Sequence, residues 1–132
     1  MKFLHNFIFL LFIYSCGEDP FEARKKLHDL GIKYTDHVFE DHVQESDLVI
    51  VKLFLDSGMP ANSRDVIIEA IEENNYEMVK LLLKYGADPN IEGPLVEAIS
   101  EGNYDIVKIL LKYGAEVDKI RTMSFHPLNI PD

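Results

Sequence analysis

The chain of 132 residues contains no tryptophan and a single cysteine, Cys16. One cysteine excludes an internal disulfide, so the stability of the core does not depend on oxidation. Without tryptophan, only Tyr and Phe remain as aromatic anchors for an interface. Basic residues are also few: 13 Lys and Arg stand against 23 Asp and Glu, a formal net charge of −10. This charge argues against nucleic acid or an anionic membrane surface as the main partner, because both would repel the protein.

Motifs that carry catalysis or bind metals are missing as well. The sequence has no glycine-rich phosphate loop, no Gly-x-Ser-x-Gly turn and no paired-cysteine cluster. His37, Asp41 and His42 lie within the length of one helix, and i, i+4 spacing places His37 and Asp41 on one face. A metal site would need a third ligand and supporting groups, which no neighbouring motif supplies. We therefore predict a non-enzymatic protein with no cofactor and no bound metal.

No apolar run is long enough to span a bilayer, which takes roughly 20 residues. The run Phe7–Tyr14 follows Lys2 and precedes the small residue Ser15, an arrangement typical of a secretory signal peptide. The alternative interpretation is a buried N-terminal helix or strand.

The end of this segment, Ile13-Tyr14-Ser15-Cys16, resembles the lipobox of bacterial lipoproteins, in which the cysteine becomes the acylated first residue. Ile13 and Ser15 fit that pattern, whereas Tyr14 is bulkier than the pattern prefers. The resemblance implies a signal peptide over residues 1–16, lipidation at Cys16 and a place in the cell envelope, facing the periplasm or on the surface. Membrane association would then occur only through this lipid anchor. Ordinary cleavage would instead give a secreted protein, and an uncleaved N-terminus a cytoplasmic one.

A repeated stretch dominates the rest of the chain. Asn75–Asp88 is written again as Asn103–Glu116, with ten of fourteen positions identical at an offset of 28 residues. A weaker copy, Val49–Gly58, lies the same distance upstream. A fixed period of this size predicts a solenoid of stacked units. Such a stack presents a repeated surface that usually binds a partner.

Each period contains two apolar segments with helical spacing, separated by a two-residue joint and closed by Gly58, Gly86 or Gly114. A charged segment at the start has the character of a capping unit. We predict an all-α helix-turn-helix solenoid of about three helix pairs plus an N-terminal capping helix. The predicted helices are Phe21–Gly31 as a lone second helix, the pair His37–Glu45 and Asp47–Ser57, the pair Asp65–Glu73 and Tyr76–Tyr85, and the pair Gly93–Glu101 and Tyr104–Tyr113.

The phrases Val79–Asn90 and Val107–Asp118 resemble the second half of an ankyrin repeat. The resemblance covers roughly Phe21–Asp118, which implies a repeat domain over residues 17–118 and a tail or irregular cap over 119–132. The chain departs from that family in its period, which is five residues shorter than the family's 33. The missing residues lie before Pro94, where family members build a β-hairpin finger. Tight turns are therefore predicted in place of the fingers.

Without fingers, the predicted binding surface is the exposed side of the first helices, which line the concave face of ankyrin-like stacks. Spacing of i, i+3 and i+4 places three polar residues of each first helix on one face. This acidic strip predicts a protein partner with a basic or polar patch, unless the carboxylates only solvate the surface. The predicted partner-binding residues are Asp41, Gln44, Glu45, Glu69, Glu72, Glu73, Glu97, Ser100 and Glu101.

On the opposite side of the first helices, the sequence predicts burial of Ile67, Ala70, Ile71, Leu95, Ala98 and Ile99. Tyr85 and Tyr113 are expected to cover turns with their hydroxyls in water. Tyr76 and Tyr104 are expected to pack. The whole pattern favours a monomeric protein–protein interaction module. An inhibitor or immunity-type protein that masks one enzyme, and an unexported ankyrin adaptor, remain as alternatives.

Overall fold

The computed structural model describes residues 17–62, 65–91 and 93–117. Within these ranges it contains seven α-helices and no strand, which confirms the all-α prediction. Each helix begins and ends within two residues of its predicted bounds. The proposed signal peptide, Cys16, Asp118 and the tail lie outside the described residues. The helices are α1 (Pro20–Asp29), α2 (Asp36–Gln44), α3 (Leu48–Asp56), α4 (Val66–Glu72), α5 (Tyr76–Lys84), α6 (Pro94–Ser100) and α7 (Tyr104–Lys112).

The helices form two layers. Helices α2, α4 and α6 stack on one another as first helices, and α1, α3, α5 and α7 stack as second helices. Each first helix also packs against the second helix that follows it in the chain. Helix α1 packs on α3 in the second-helix layer, and no first helix precedes it among the residues that the structure describes, as expected for the predicted lone second helix.

Side-chain caps begin most helices at equivalent positions of the repeat. Asn75 accepts a hydrogen bond from the backbone N–H of Met78 at 3.0 Å, and Asn103 accepts one from Ile106 at 3.1 Å. These bonds satisfy a donor that the first turn leaves unpaired. Asp65 stands at the N-cap position of α4, but its side chain makes no capping bond.

The joint between the paired helices requires a left-handed backbone. Ser46, Asn74 and Gly102 occupy this position in successive units, with φ angles of 59°, 55° and 70°. This backbone conformation carries a cost, which is small for glycine and asparagine, so Gly102 and Asn74 suit the joint better than Ser46 does. The joint is thus fixed by backbone geometry in all three units.

One predicted core residue is not buried. Ile99 is 50% exposed, whereas Ile71, its equivalent in the preceding unit, is fully buried. The same difference separates Leu111 from the buried Leu83. The reason is position in the stack: α4 and α5 are covered by the next helix pair, and no described helix stacks beyond α6 and α7. The other predicted core residues of the first helices are buried.

Asparagine side chains connect the turns between units. The Asn62 side-chain oxygen accepts a hydrogen bond from the Asp88 backbone at 2.6 Å, and that of Asn90 accepts one from Glu116 at 2.8 Å. The Asn90 amide also donates to the Gly114 carbonyl at 3.1 Å. Asn62 and Asn90 are one period apart, so each unit holds the turn of the next. In the described part of the segments between helix pairs, the chain therefore forms these turns where ankyrin repeats have β-hairpin fingers.

Candidate functional site

The first-helix surface is defined here as the exposed side of α2, α4 and α6 with the residue after each helix. Glu69 and Glu97 are half-buried there. The remaining predicted residues of this surface are exposed: Asp41, Gln44, Glu45, Glu72, Glu73, Ser100 and Glu101.

A groove of about 470 Å³ lies between α2 and α4. Four predicted residues line it: Asp41, Gln44, Glu69 and Glu72. The Gln44 side-chain amide donates a hydrogen bond to a Glu69 carboxylate oxygen, which joins the two units across the groove. The groove is therefore both acidic and preformed.

The same groove contains residues that the sequence prediction missed. His37, Glu40 and Asp65 also line it, beside Val66 and Ile68. His37 and Glu40 precede Asp41 and Gln44 at i, i+3, i+4 and i+7 spacing, so the helical pattern extended by one turn would have found them. Asp65 belongs to the groove because it stands at the start of α4, next to α2.

The other five predicted residues do not line this groove. Glu101 borders a second groove, of about 450 Å³, together with Asn74, Asn103 and Asp105. Glu45 instead lies beside the His42 ring, with a carboxylate oxygen 3.7 Å from Nδ1. The predicted strip is thus divided into separate sites along the first-helix layer.

Charge is segregated between the two helix layers. The first helices α2, α4 and α6 contain no Lys or Arg, and each carries at least one acidic side chain. The lysines of the paired helices all stand on the second helices α3, α5 and α7: Lys52, Lys80, Lys84, Lys108 and Lys112. The helices of the first-helix surface therefore supply no lysine or arginine to neutralise its carboxylates.

Of the three residues weighed as metal ligands, His37, Asp41 and His42, the first two lie close together. His37 Nε2 lies 3.8 Å from an Asp41 carboxylate oxygen, as the i, i+4 spacing predicted. Across the part of the chain that the structure describes, no three His, Cys, Asp or Glu side chains converge as metal ligands. In the same part, every helix is too short or too polar to traverse a lipid bilayer.

A buried carboxylate in the second-helix layer was also missed. The Asp56 side chain is 1% exposed and lies 2.6 Å from Lys52 Nζ, and it accepts a hydrogen bond from the Tyr85 hydroxyl. The expectation that this hydroxyl lies in water is therefore wrong. At the position of Asp56, the later units have Lys84 and Lys112. This departure from the repeat is the feature of the sequence that could have indicated a special role for Asp56.

The chain also packs against this carboxylate at its first described residue. Gly17 lies so close to Asp56 and Tyr85 that a Cβ added there would overlap both side chains. At the other end of the stack, Tyr104 is 76% exposed, so its expected packing role is wrong; Tyr113 is also exposed.

Comparison with known families agrees with this geometry. The model of the family described as ankyrin repeats, in three copies, matches residues 41–121, which is more than half of the chain. Neither the curated proteins nor the solved structures contain a match to the sequence.

Proposed function

Because this chain belongs to the ankyrin-repeat family, we propose that it binds a protein partner through its first-helix surface. Ankyrin repeats are modules of protein–protein interaction, so the partner is a protein. The partner's patch is basic or polar, since the surface offers carboxylates and amides without a single lysine or arginine on its helices. The observation that carries the proposal is the acidic groove between α2 and α4.

The mechanism is rigid presentation of a preformed site. The groove is built on two helices that pack against each other and against the second-helix layer. Little of the surface has to be ordered when the partner arrives, which keeps the entropic cost of binding low. The groove residues act as hydrogen-bond acceptors and as charges, and this mode of binding involves no chemical reaction.

Reversal of three groove charges tests this proposal. The variant Asp41→Lys, Glu69→Lys and Glu72→Lys is expected to reduce capture of the partner by roughly tenfold, because each lost exposed pair is worth about 0.2–1 kcal/mol and like charges now repel. Capture from an extract of the source cells is quantified by mass spectrometry.

The matched control reverses three exposed carboxylates of the second-helix layer, Glu22, Asp29 and Glu77. It changes the net charge of the protein by the same amount as the groove variant does, and it should leave capture of the partner unchanged. Capture that falls equally in both variants, or in neither, rejects the first-helix surface as the binding site. A single tightly held enzyme in the wild-type capture would point to an inhibitory or immunity role.

We further propose that the module is exported and anchored by a lipid at Cys16. The support is the apolar run Phe7–Tyr14 and the lipobox-like sequence that ends at Cys16. Mass spectrometry of the mature N-terminus is expected to find acylated Cys16. An intact Met1 would eliminate export, and an unmodified new N-terminus would replace anchoring by secretion.

A further inference from the structure

A second groove, of opposite charge, lies on the second-helix layer between α5 and α7. Its volume is about 340 Å³. We name it the lysine groove, after three of its lining residues, Lys80, Lys108 and Lys112; the others are Tyr76, Asp105, Ile109 and Tyr113. Its position is distinct from the first-helix surface, because it is formed by the other layer of the stack.

Helical spacing explains why these side chains meet. Tyr76 and Lys80 are four residues apart on α5, and Lys108 and Lys112 are four residues apart on α7, so each pair shares one face. Ile109 lies between the two α7 lysines and is only 6% exposed, which makes it the apolar floor of the groove. Tyr113 is 41% exposed and closes the carboxyl end of α7.

The lysines of this groove are poorly neutralised. Among the described residues, the only carboxylate that lines it is that of Asp105, which lies 4.0 Å from Lys108 Nζ, with both side chains about four-fifths exposed. An ion pair so exposed contributes little. Lys80 and Lys112 form no ion pair with any other described residue. The groove is thus locally cationic in a chain whose net charge is −10.

We propose that the lysine groove binds a short acidic segment of a partner protein. Carboxylates of the segment pair with Lys80, Lys108 and Lys112, and one apolar side chain lies against Ile109 between the tyrosine rings. The tyrosine hydroxyls supply further hydrogen-bond donors. Charge complementarity selects an acidic ligand, and the buried isoleucine with two aromatic rings selects a peptide over a simple anion.

The size of the groove selects a short segment. Each flanking helix has nine residues and so extends for about 13 Å at 1.5 Å per residue. About four extended residues cover that length at roughly 3.3 Å each. A long polyanion such as nucleic acid would extend beyond the lysines and come close to the acidic surface around them. Within about 8 Å, the Debye length at physiological salt, that surface would repel it.

This inference does not depend on the proposed function of the first-helix surface. The two surfaces lie on different layers and attract opposite charges. Together they would let one domain hold a basic partner and an acidic partner at the same time, as an adaptor.

The test uses the full chain with a fluorescent peptide of about six residues, in which glutamates surround one leucine. Its affinity is measured by anisotropy at low and physiological salt. The variant Lys80→Gln, Lys108→Gln and Lys112→Gln is expected to weaken binding about tenfold, and the same peptide with Gln in place of Glu should bind as weakly. The matched control, Lys25→Gln, Lys26→Gln and Lys33→Gln, removes equal charge from exposed positions elsewhere and should retain affinity.

Equal affinity of the wild-type protein and the groove variant overturns the inference, as does equal binding of the two peptides. Phosphate or anionic lipid vesicles that bind these lysines more tightly than the peptide overturn the assignment to a protein segment. Self-association in sedimentation that the groove variant abolishes overturns it in favour of a second copy of the chain. The variant Asp41→Lys, Glu69→Lys and Glu72→Lys should keep its peptide affinity, so failure of one surface is distinguishable from failure of the other.

Discussion

Replacing Phe54 with alanine is expected to lower the free energy of unfolding by about 3–5 kcal/mol. The ring is fully buried on α3. It stacks on Tyr34 with ring centroids 5.6 Å apart, and it meets Phe39 at the same distance in a tilted arrangement. Truncation leaves a cavity shared by α2, α3 and the segment between α1 and α2. Since domains of this size are stable by only about 5–15 kcal/mol, the loss is a large share of the total.

Urea denaturation followed by far-UV circular dichroism measures this loss. The matched control is Val49→Ala on the same helix, where the side chain is 71% exposed and the expected change is within about 0.5 kcal/mol. In a stack where each unit contacts only its neighbours, the N-terminal units of the Phe54 variant should unfold before α6 and α7. A Phe54 variant that unfolds at the same urea concentration as the control would contradict this account of the core.

Replacing Tyr85 with phenylalanine is expected to cost about 2 kcal/mol. The Tyr85 hydroxyl donates a hydrogen bond to the Asp56 carboxylate, whose side chain is 1% exposed. Hydrogen bonds to charged groups contribute about 1.5–3 kcal/mol, and a buried carboxylate that loses a donor is not rehydrated. Lys52 stays 2.6 Å away and keeps Asp56 partly compensated, so the loss does not reach that of an unpaired buried charge.

The repeat supplies the control for this prediction. Tyr113 is the equivalent residue one unit later, and there the position of Asp56 is occupied by Lys84. Tyr113→Phe removes the same hydroxyl from a ring that is 41% exposed and should change stability by less than about 0.5 kcal/mol. Denaturation midpoints that shift equally in the two variants would show that the bond to Asp56 contributes nothing specific.

The period of 28 residues was enough to predict the fold. Identical phrases such as those beginning at Asn75 and Asn103 must take equivalent places in a stack, and the helix bounds followed from apolar spacing and the closing glycines. What the period could not predict is where one unit differs from the next. Asp56 replaces a lysine, and its burial depends on a tyrosine 29 residues away. Ile99 has the pattern of a core residue, but burial depends on a covering unit.

The candidate site was predictable only as a list of exposed residues. Helical spacing places Asp41 with Gln44, and Glu69 with Glu72, because it describes a single helix. Whether two helices enclose a groove depends on how closely their axes approach, which no spacing in the sequence specifies. The lysine groove was missed for a related reason: Lys108 and Lys112 share a face of α7 by their spacing, but Lys80 joins them only because α5 and α7 pack side by side.

The close packing of Gly17 on Asp56 and Tyr85 determines how much freedom a membrane tether would leave. Consecutive α-carbons are 3.8 Å apart, so a lipid on Cys16 would be attached one residue from the packed surface of the domain. Such a short connection would keep the domain from moving away from the membrane. The domain would be held flush against the bilayer with the carboxyl ends of α3 and α5 near the headgroups, and its choice of partners would be restricted to proteins in the same membrane or directly beside it.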